Sequence, residues 1–359
     1  MTTTPHTHAP LRVGLVGFGL AGSVFHAPMI AACPELTLDT VVTGNPERRA
    51  AAEAEHPGVR VVATPDELLA RHEELDLVVV ASPNKTHVPL AHAALDAGLP
   101  VVVDKPLAAH AAEARALADA ADKAGLMLSV FQNRRWDNDF LTLRALLDAG
   151  ELGEVRRFES RFERWRPTPK GGWRESGAPE EVGGLLYDLG SHVVDQALVL
   201  FGPAETVYAE VDVRRPTAST DDDTFIALTH TSGVRSHLYV SAVTPRLGPR
   251  FRVLGSTAGW VKHGLDPQEG ALRDGARPKH GEPWGVEPES AWGVLGAGDH
   301  AQPVPTLPGD YPAYYAAVAR ALRTGGPAPV GAREAAATLD VLEAARRSAT
   351  EGVTVRLAP

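Results

Sequence analysis

Hydrophobic and polar residues are arranged in two different ways along the chain, and the arrangement changes near residue 132. Between residues 11 and 131, short runs rich in valine and leucine alternate with alanine-rich segments of helical periodicity. Near-continuous apolar strands separated by helices are typical of a parallel sheet that is covered on both faces. The pattern therefore predicts a doubly wound α/β domain, with helices that include Thr86–Ala97 and Ala109–Ala124 and strands at Leu11–Gly17, Leu36–Thr43, Val59–Val62, Leu75–Ala81, Pro100–Val103 and Leu126–Phe131.

After residue 132 the pattern is that of an α+β domain with an open, mainly antiparallel sheet. The predicted helices are Asn138–Ala149, Tyr187–Phe201, Pro312–Arg323 and Ala332–Ala349. One strand is predicted at Val155–Glu163, followed by a meander at Thr206–Val213, Thr224–Thr229, Val234–Val240, Arg250–Leu254 and Gly259–Lys262. Two stretches rich in Gly, Pro and Trp, 166–184 and 264–309, are predicted to be loops, and the first is long enough to suggest a functional loop.

Three glycines follow the first predicted strand at the spacing Gly17-x-Gly19-x-x-Gly22, and a helix-compatible segment comes next. In this context the first glycine ends the strand, the second lets the backbone approach a pyrophosphate, and the third lets helix and strand pack closely. The phosphates would lie at a helix N-terminus, where free N–H groups and the helix dipole favour negative charge. An ordinary glycine-rich turn is the alternative. The context favours a Rossmann dinucleotide site that also includes the intervening Phe18, Leu20 and Ala21.

The end of the second predicted strand bears on the choice between NAD and NADP. An acidic residue at this position commonly binds the ribose 2′-hydroxyl of NAD, but here the strand ends at Thr43 and Asp39 lies too early. Asn45 is predicted to cap the next helix. Arg48 would then lie in the first turn, where the helix dipole disfavours a cation unless an anion such as a 2′-phosphate compensates. NADP is therefore favoured, with solvated arginines on a helix surface as the alternative.

Polar residues follow three further predicted strands, at the sheet edge where doubly wound proteins bind their ligands. The cofactor-binding candidates at these strand ends are Ser82, Pro83, Asn84, His87, Asp104, Lys105 and Asn133. Lys105 is the strongest catalytic candidate, because it lies between a buried strand and a proline that prevents the strand from continuing. A lysine in a cleft can hydrogen-bond an alcohol or carbonyl oxygen and help its proton to leave. A surface lysine after an edge turn is the alternative.

A second catalytic candidate is the pair Asp188 and His192, which share one face of a predicted helix at a spacing of four residues. A carboxylate beside an imidazole orients the ring and stabilises its protonated form, which suits a general base. An ordinary surface pair at a helix start is the alternative. Gly183 and Gly184 just upstream would permit close approach of a ligand and favour the functional interpretation.

Composition argues against several other classes of protein. The chain has 359 residues, a net charge of −10 and one cysteine, Cys33. The excess of acidic over basic residues argues against nucleic-acid binding. A single cysteine fits a reducing compartment. No apolar run approaches the ~20 residues that span a bilayer, no secretory signal precedes the first strand, and no zinc-ligand spacing suggests a metal site. We therefore expect a cytoplasmic protein with a flexible tail at 1–10, a dinucleotide-binding domain at 11–131 and a substrate-binding and oligomerisation domain at 132–359.

Together these features resemble the family of glucose–fructose oxidoreductases, inositol dehydrogenases and rhizopine-catabolism oxidoreductases (Gfo/Idh/MocA), from Leu11 to about Leu357. The resemblance is carried by the glycine motif, Ser82-Pro83-Asn84 with His87, Asp104-Lys105-Pro106, Trp173-Arg174, and Asp188 with His192. Longer strings, among them residues 22–28, 133–141, 186–192 and 262–269, are similar to bacterial scyllo-inositol dehydrogenases that use NADP.

The resemblance implies that the catalytic residues are Lys105, Asp188 and His192. It also implies contacts to the nicotinamide side of the cofactor from Trp173, Arg174 and Tyr311. Two departures from the family pattern bear on the cofactor site. The family commonly has Glu before Lys-Pro, where this chain has the shorter Asp104, and NADP-using relatives often have Ser-Arg at the position of Gly44-Asn45.

We thus expect an oxidoreductase that interconverts a secondary alcohol and a ketone of a cyclitol or sugar, with NADP as cofactor and NAD as the alternative. His192 would accept the hydroxyl proton, with its ring oriented by Asp188, while Lys105 hydrogen-bonds the same oxygen. Two other functions stay open: a glycosidase that uses tightly held NAD for transient oxidation, and a nucleotide-sensing regulator that has lost catalysis. The predicted open sheet and the resemblance imply a homodimer or homotetramer.

Overall fold

A computed structural model describes residues 9–169, 171, 175 and 182–358 of the protein. Its first half contains a sheet of six parallel strands in the order β3-β2-β1-β4-β5-β6. The strands are β1 (Leu11–Val16), β2 (Leu36–Val42), β3 (Arg60–Val62), β4 (Leu77–Val80), β5 (Val101–Asp104) and β6 (Leu128–Phe131). The helices between them are α1 (Ala27–Ala32), α2 (Pro46–Glu55), α3 (Pro65–Leu69), α4 (His87–Asp96) and α5 (Ala111–Ala124). The predicted doubly wound fold is confirmed.

The second half contains a sheet of nine strands in the order β14-β13-β12-β11-β7-β10-β9-β8-β15. Its longer strands are β7 (Arg157–Glu163), β8 (Ala204–Asp212), β9 (Asp223–His230) and β10 (Arg235–Ser241), and its short ones are β11 (Phe251–Leu254), β12 (Gly259–Lys262), β13 (Gly293–Gly296), β14 (Gln302–Val304) and β15 (Val355–Arg356). The helices are α6 (Asn138–Asp148), α7 (Leu185–Asp188), α8 (Gly190–Phe201), α9 (Gln268–Arg273), α10 (Tyr311–Thr324) and α11 (Ala332–Glu351).

The second sheet is mainly antiparallel, as predicted, but its strand order differs from a simple meander. β7 lies between β10 and β11 and runs parallel to β10. The sequence pattern could not reveal this insertion, because pairing partners far apart in the chain leave the alternation of a strand unchanged. The stretch 264–309, predicted to be a loop, also contributes α9, β13 and β14.

The predicted helix Tyr187–Phe201 is divided at Leu189, which has a φ of −106° and a ψ of −33° and lies between α7 and α8. α8 and α11 cover one face of the nine-stranded sheet, and α11 also packs against α5 of the first half. Both halves therefore share one continuous hydrophobic core. Among the described helices, none is long and apolar enough to cross a lipid bilayer.

Candidate active site

The glycine turn after β1 has no room for a side chain at two of its three glycines. Gly17 has a φ of 101°, and a Cβ there would lie 2.7 Å from the carbonyl oxygen of Ala81. A Cβ on Gly22 would lie 2.0 Å from the carbonyl oxygen of Gly17. The nearest atom to a Cβ on Gly19, in contrast, is Nη1 of Arg48 at 3.7 Å. The space left open over Gly19 is what a pyrophosphate needs in order to approach the backbone, so the turn fits a dinucleotide.

Arg48 is an exposed cation beside this turn. Asn45 caps α2 as predicted, since its side-chain oxygen accepts a hydrogen bond from the Arg48 backbone N–H at 2.9 Å. Among the described residues, no carboxylate pairs with the Arg48 guanidinium. The neighbouring Arg49 is occupied differently, because it donates to the carbonyl oxygen of Val61 at 2.9 Å. Arg48 is therefore placed where it can bind an anionic group of a nucleotide.

The loops after β4 and β5 are joined by the buried ring of His87. Its Nε2 lies 2.9 Å from the carbonyl oxygen of Ser82, and its Nδ1 lies 2.8 Å from that of Pro106. Burial lowers the pKa of His87. The ring therefore holds two loops together beneath the cleft, rather than facing a ligand as the sequence interpretation assumed.

Lys105 and Asp188 are brought together across 83 positions of the chain. The Lys105 ammonium donates to the carbonyl oxygen of Asp188 at 2.7 Å and to its Oδ1 at 3.0 Å. The other carboxylate oxygen, Oδ2, lies 3.8 Å from Nη2 of Arg164. The helix that carries Asp188 is anchored by Asp221, whose carboxylate accepts from the N–H of Leu186 at 2.6 Å. The fold itself requires the glycine at 184, since a Cβ there would lie 2.1 Å from Oδ1 of Asp221 and the backbone φ is 94°.

His192 lies on the same wall of the cleft. The Asp188 carboxylate contacts Lys105 and Arg164, and its orientation of the imidazole stays a prediction. Nδ1 of His192 is buried and has no hydrogen-bond partner among the described residues. Burial, followed by the charges of Lys105, Arg134 and Arg250, holds the pKa of His192 well below its usual value. The ring is therefore neutral near pH 7.

A cleft of about 710 Å³ lies between the glycine turn, the ends of β5 and β6, and helices α7, α8 and α9. The predicted site residues that line it are Leu20, Ala21, Asp104, Lys105, Asn133, Asp188 and His192. Asn84 lines a smaller adjoining pocket with Lys105 and Asp188. This volume can hold a nicotinamide together with a sugar-sized substrate.

Several predicted site residues lie elsewhere. Trp173 and Arg174 fall outside the described residues. Tyr311 is completely buried and donates to Oδ1 of Asp137 at 2.7 Å, so it does not line the cleft. The rings of Phe18 and Pro83 and the side chains of Thr43 and Ser82 are also absent from the lining.

Sequence reasoning missed Arg164 and Glu269, which line the cleft. Arg134 also lines it and belongs to the polar segment after the sixth predicted strand, but it was not among the site candidates. Arg134 is buried, donates to Oδ2 of Asp137 at 3.3 Å and also pairs with Glu269. The position of Arg134, three residues after the end of a buried strand, was a visible signal. Its partner 135 positions further along the chain was not.

A Rossmann sheet, a glycine turn with space for pyrophosphate, and a lysine in the adjoining cleft define an NAD(P)-dependent oxidoreductase. Residues 11–132 match the oxidoreductase family with the NAD-binding Rossmann fold, and residues 140–261 match the GFO/IDH/MocA C-terminal domain. The chain belongs to the Gfo/Idh/MocA oxidoreductase family, which confirms the resemblance noted in the sequence.

Two curated relatives match the chain over nearly its whole length. The oxidoreductase YdgJ of Escherichia coli K12 is 42% identical over 352 residues, covering 97% of this chain and 99% of the relative. The NADP-dependent scyllo-inositol 2-dehydrogenase IolW of Bacillus subtilis 168 is 35% identical over 351 residues, covering 97% and 96%. Among solved structures, the oxidoreductase YPO2259 of Yersinia pestis has a TM-score of 0.90 at 39% identity and covers 98% of both chains.

Proposed function

We propose that this protein is an NADP-preferring dehydrogenase that interconverts a secondary alcohol and a ketone of a cyclitol or sugar. The observation that carries the proposal is the Lys105 ammonium held by Asp188 inside the cleft, with His192 on the same wall. The name of the relative IolW, a scyllo-inositol 2-dehydrogenase, favours a cyclitol as substrate.

The proton chemistry is assigned to Lys105 and His192. A lysine ammonium has three donor hydrogens, and two of those on Lys105 go to Asp188. The third can donate to the alcohol oxygen and stabilise the negative charge that develops there. Nδ1 of His192 is buried, so Nε2 is the nitrogen that we assign to accept the hydroxyl proton. Asp188 thus positions the lysine ammonium. The bound nicotinamide supplies the two-electron exchange with the alcohol carbon.

The preference for NADP rests on Arg48. Its guanidinium lies 3.7 Å from the position of a Cβ on Gly19 and has no carboxylate partner among the described residues. A guanidinium binds phosphate through charge-assisted hydrogen bonds, whereas a ribose hydroxyl offers it no charge. Asn45, which occupies the cap position, gives no carboxylate that would select NAD.

A direct test follows NADPH absorbance during reduction of inososes and keto-sugars, and NADP⁺ reduction with scyllo-inositol and related polyols. The proposal expects turnover with at least one cyclitol or sugar, and higher kcat/KM with NADP than with NAD. Release of free sugar from a glycoside without net change in absorbance would favour a glycosidase instead. Binding of NADP without turnover of any compound in the panel would favour a regulator.

We also propose that the protein forms a homodimer or homotetramer through the nine-stranded sheet. α8 and α11 cover one face of this sheet. The opposite face carries half-exposed or exposed aromatic and aliphatic side chains, namely Tyr208, Phe225, Tyr239, Val261 and Val294. An antiparallel sheet with a second apolar face is stabilised when another copy covers it. Light scattering coupled to gel filtration tests this, and a monomer mass at micromolar concentration would contradict it.

A further inference from the structure

His26 is a completely buried histidine next to Asp104, the residue that precedes Lys105, and it is not among the predicted site residues. It lies in the π-helical turn Ala21–His26 that follows the glycine motif. Its ring packs against Phe131 of β6 with the ring centroids 4.3 Å apart. Nδ1 lies 2.6 Å from the hydroxyl of Tyr315 on α10, and Nε2 lies 3.8 Å from Oδ1 of Asp104. One imidazole therefore joins the dinucleotide turn, the residue before Lys105 and a helix of the second half.

The surroundings of the ring select one tautomer. The Tyr315 hydroxyl is completely buried, and burial raises the pKa of this phenol well above its usual value, so the hydroxyl keeps its proton. Nδ1 of His26 is the acceptor that the described residues offer to that proton. If Tyr315 donates to Nδ1, the ring hydrogen of neutral His26 lies on Nε2. The opposite tautomer would leave the phenol hydrogen without an acceptor and would turn the Nε2 lone pair toward a carboxylate.

Asp104 has one carboxylate oxygen held and one left for a ligand. Oδ1 accepts a hydrogen bond from the backbone N–H of Lys105 at 2.8 Å and is also the oxygen that faces Nε2 of His26. Oδ2 has no hydrogen bond from any described residue and is not completely buried, and Asp104 lines the cleft. Burial alone would raise the pKa of Asp104, but His26 and then Lys105 hold it below its usual value.

We propose that His26, fixed in its Nε2–H tautomer by Tyr315, is a positioning residue that orients the Asp104 carboxylate so that Oδ2 accepts a hydrogen bond from a hydroxyl of the bound dinucleotide. His26 and Tyr315 do not line the cleft, so they act through Asp104. The inference rests on the proposed placement of the cofactor beside Lys105. It adds a specific requirement, which is that a buried chain of contacts controls cofactor affinity. The chain consists of the Tyr315–His26 hydrogen bond at 2.6 Å and the approach of His26 Nε2 to Oδ1 of Asp104 at 3.8 Å.

The first arm of the test compares two adjacent tyrosines. Tyr315→Phe removes the hydroxyl that contacts His26. Tyr314→Phe is a matched control, because Tyr314 is equally buried on the same helix but contacts Ser129 at 2.9 Å. We expect Tyr315→Phe to raise the Kd and KM for NADP(H) by about fivefold, with kcat at saturating cofactor within about twofold. Tyr314→Phe should leave Kd and KM within about twofold. Equal effects of the two variants would overturn the proposal.

The second arm is a double-mutant cycle on cofactor affinity. His26→Gln and Asp104→Asn should each raise the Kd for NADPH, measured by calorimetry, by about tenfold. If His26 acts through Asp104, the double variant should bind no more weakly than Asp104→Asn alone. Additive losses would show that His26 affects binding independently and would overturn the proposal. If His26→Gln fails to fold, Tyr315→Phe, which keeps the aromatic ring and removes the contact to His26, takes its place in the cycle.

The third arm needs neither cofactor nor activity. Ring-nitrogen NMR of the cofactor-free protein reports the tautomer of His26, whose signals are assigned by their loss in His26→Gln. We expect a protonated Nε2 in the parent protein and in Tyr314→Phe, and a changed tautomer population in Tyr315→Phe. A protonated Nδ1 in the parent protein would overturn the inference, even if the enzyme reduces sugars as proposed. Absence of turnover with the expected tautomer would instead contradict the proposed function alone.

Discussion

The two halves of the molecule build their shares of the site in opposite ways. Among the described residues up to 131, no Asp, Glu, Lys or Arg is buried, and the dinucleotide turn is shaped by backbone atoms and missing side chains. The second half buries the charged residues Arg134, Arg135, Asp137, Asp139, Glu159, Asp195, Arg215, Asp221, Asp222, Arg250, Lys262 and Asp266. The first half, here called the cofactor half, therefore depends on local backbone geometry. The second half, which we propose binds the substrate and call the substrate half, depends on long-range ion pairs.

This difference matches what each half has to recognise. A pyrophosphate is bound by backbone N–H groups, which any sequence supplies once glycines give the turn its shape. Under the proposed function the second half recognises a polyol, which has no charge. Its recognition then requires fixed donors and acceptors, and buried ion pairs hold side chains in fixed positions. Lys105 stands at the boundary, because it directly follows β5 of the first half while Asp188 of the second half holds its ammonium.

The largest effect is expected from Lys105→Ala, which removes the group at that boundary. General acid–base groups contribute on the order of 10²–10⁴ to rate, so we expect kcat to fall by about 10³-fold. The Kd for NADPH should stay within about threefold, since the glycine turn is untouched. Steady-state kinetics and calorimetry measure the two quantities, with the exposed Lys123→Ala as control. Near-normal turnover of the Lys105 variant would contradict the role in proton chemistry that we assign to Lys105.

Breaking one buried ion pair should test whether such pairs stabilise the fold of the substrate half. Arg250 lies 3.3 Å from Asp139 and donates to Ser160 and Gln196, each at 2.6 Å. Arg250→Met leaves the Asp139 charge buried and unpaired, and we expect the free energy of unfolding to fall by about 3–5 kcal/mol. Arg252→Met, two residues further along in β11, is the control, because its pair with Glu159 is far more exposed and should contribute about 0–1 kcal/mol. Similar urea midpoints for both variants would contradict the comparison.

The same difference explains what sequence reasoning could and could not predict. Gly17, Gly22 and the Asn45 cap were predictable, because each follows from steric or hydrogen-bonding rules within a few residues. The two sheets were also predictable from their alternation patterns. The pairing of Lys105 with Asp188 was not, because the fold brings together residues 83 positions apart, and the i,i+4 rule pointed to His192 instead.

Two glycine substitutions should separate folding from binding in the cofactor half. Gly22→Ala forces a Cβ to within 2.0 Å of a backbone oxygen, so we expect a loss of about 1–3 kcal/mol in the free energy of unfolding. Gly19→Ala meets only the flexible end of Arg48 at 3.7 Å and should change stability by less than about 0.5 kcal/mol. It should nevertheless raise the Kd for either dinucleotide by at least about tenfold, because the methyl group occupies the space for the pyrophosphate. Unchanged affinity in Gly19→Ala would place the phosphates elsewhere.

A smaller effect, confined to one cofactor, is expected at Arg48. Arg48→Ser should raise the Kd for NADPH by about 10–30-fold, because one charge-assisted contact is lost. The Kd for NADH should change by less than about twofold. Arg49→Ser is the matched control, since its guanidinium is turned toward Val61, and should leave the ratio of the two affinities unchanged. Equal losses for both cofactors in Arg48→Ser would contradict the assignment of the 2′-phosphate.

The smallest predicted effect concerns the protonation of His192, because charged residues of both halves influence the pKa of its ring. Burial and the cations Lys105, Arg134 and Arg250 lower its pKa well below the usual value. A lowered pKa keeps the ring in its neutral, proton-accepting form as the pH falls through ~6.5, where an ordinary histidine becomes charged. The NMR titration midpoint of His192, assigned with His192→Asn, should therefore lie below that of an ordinary histidine. Lys105→Met removes one of the cations and should move the midpoint upward, whereas Lys123→Met should leave it unchanged. A midpoint at the ordinary value, insensitive to Lys105, would mean that the lysine and the imidazole do not share one site.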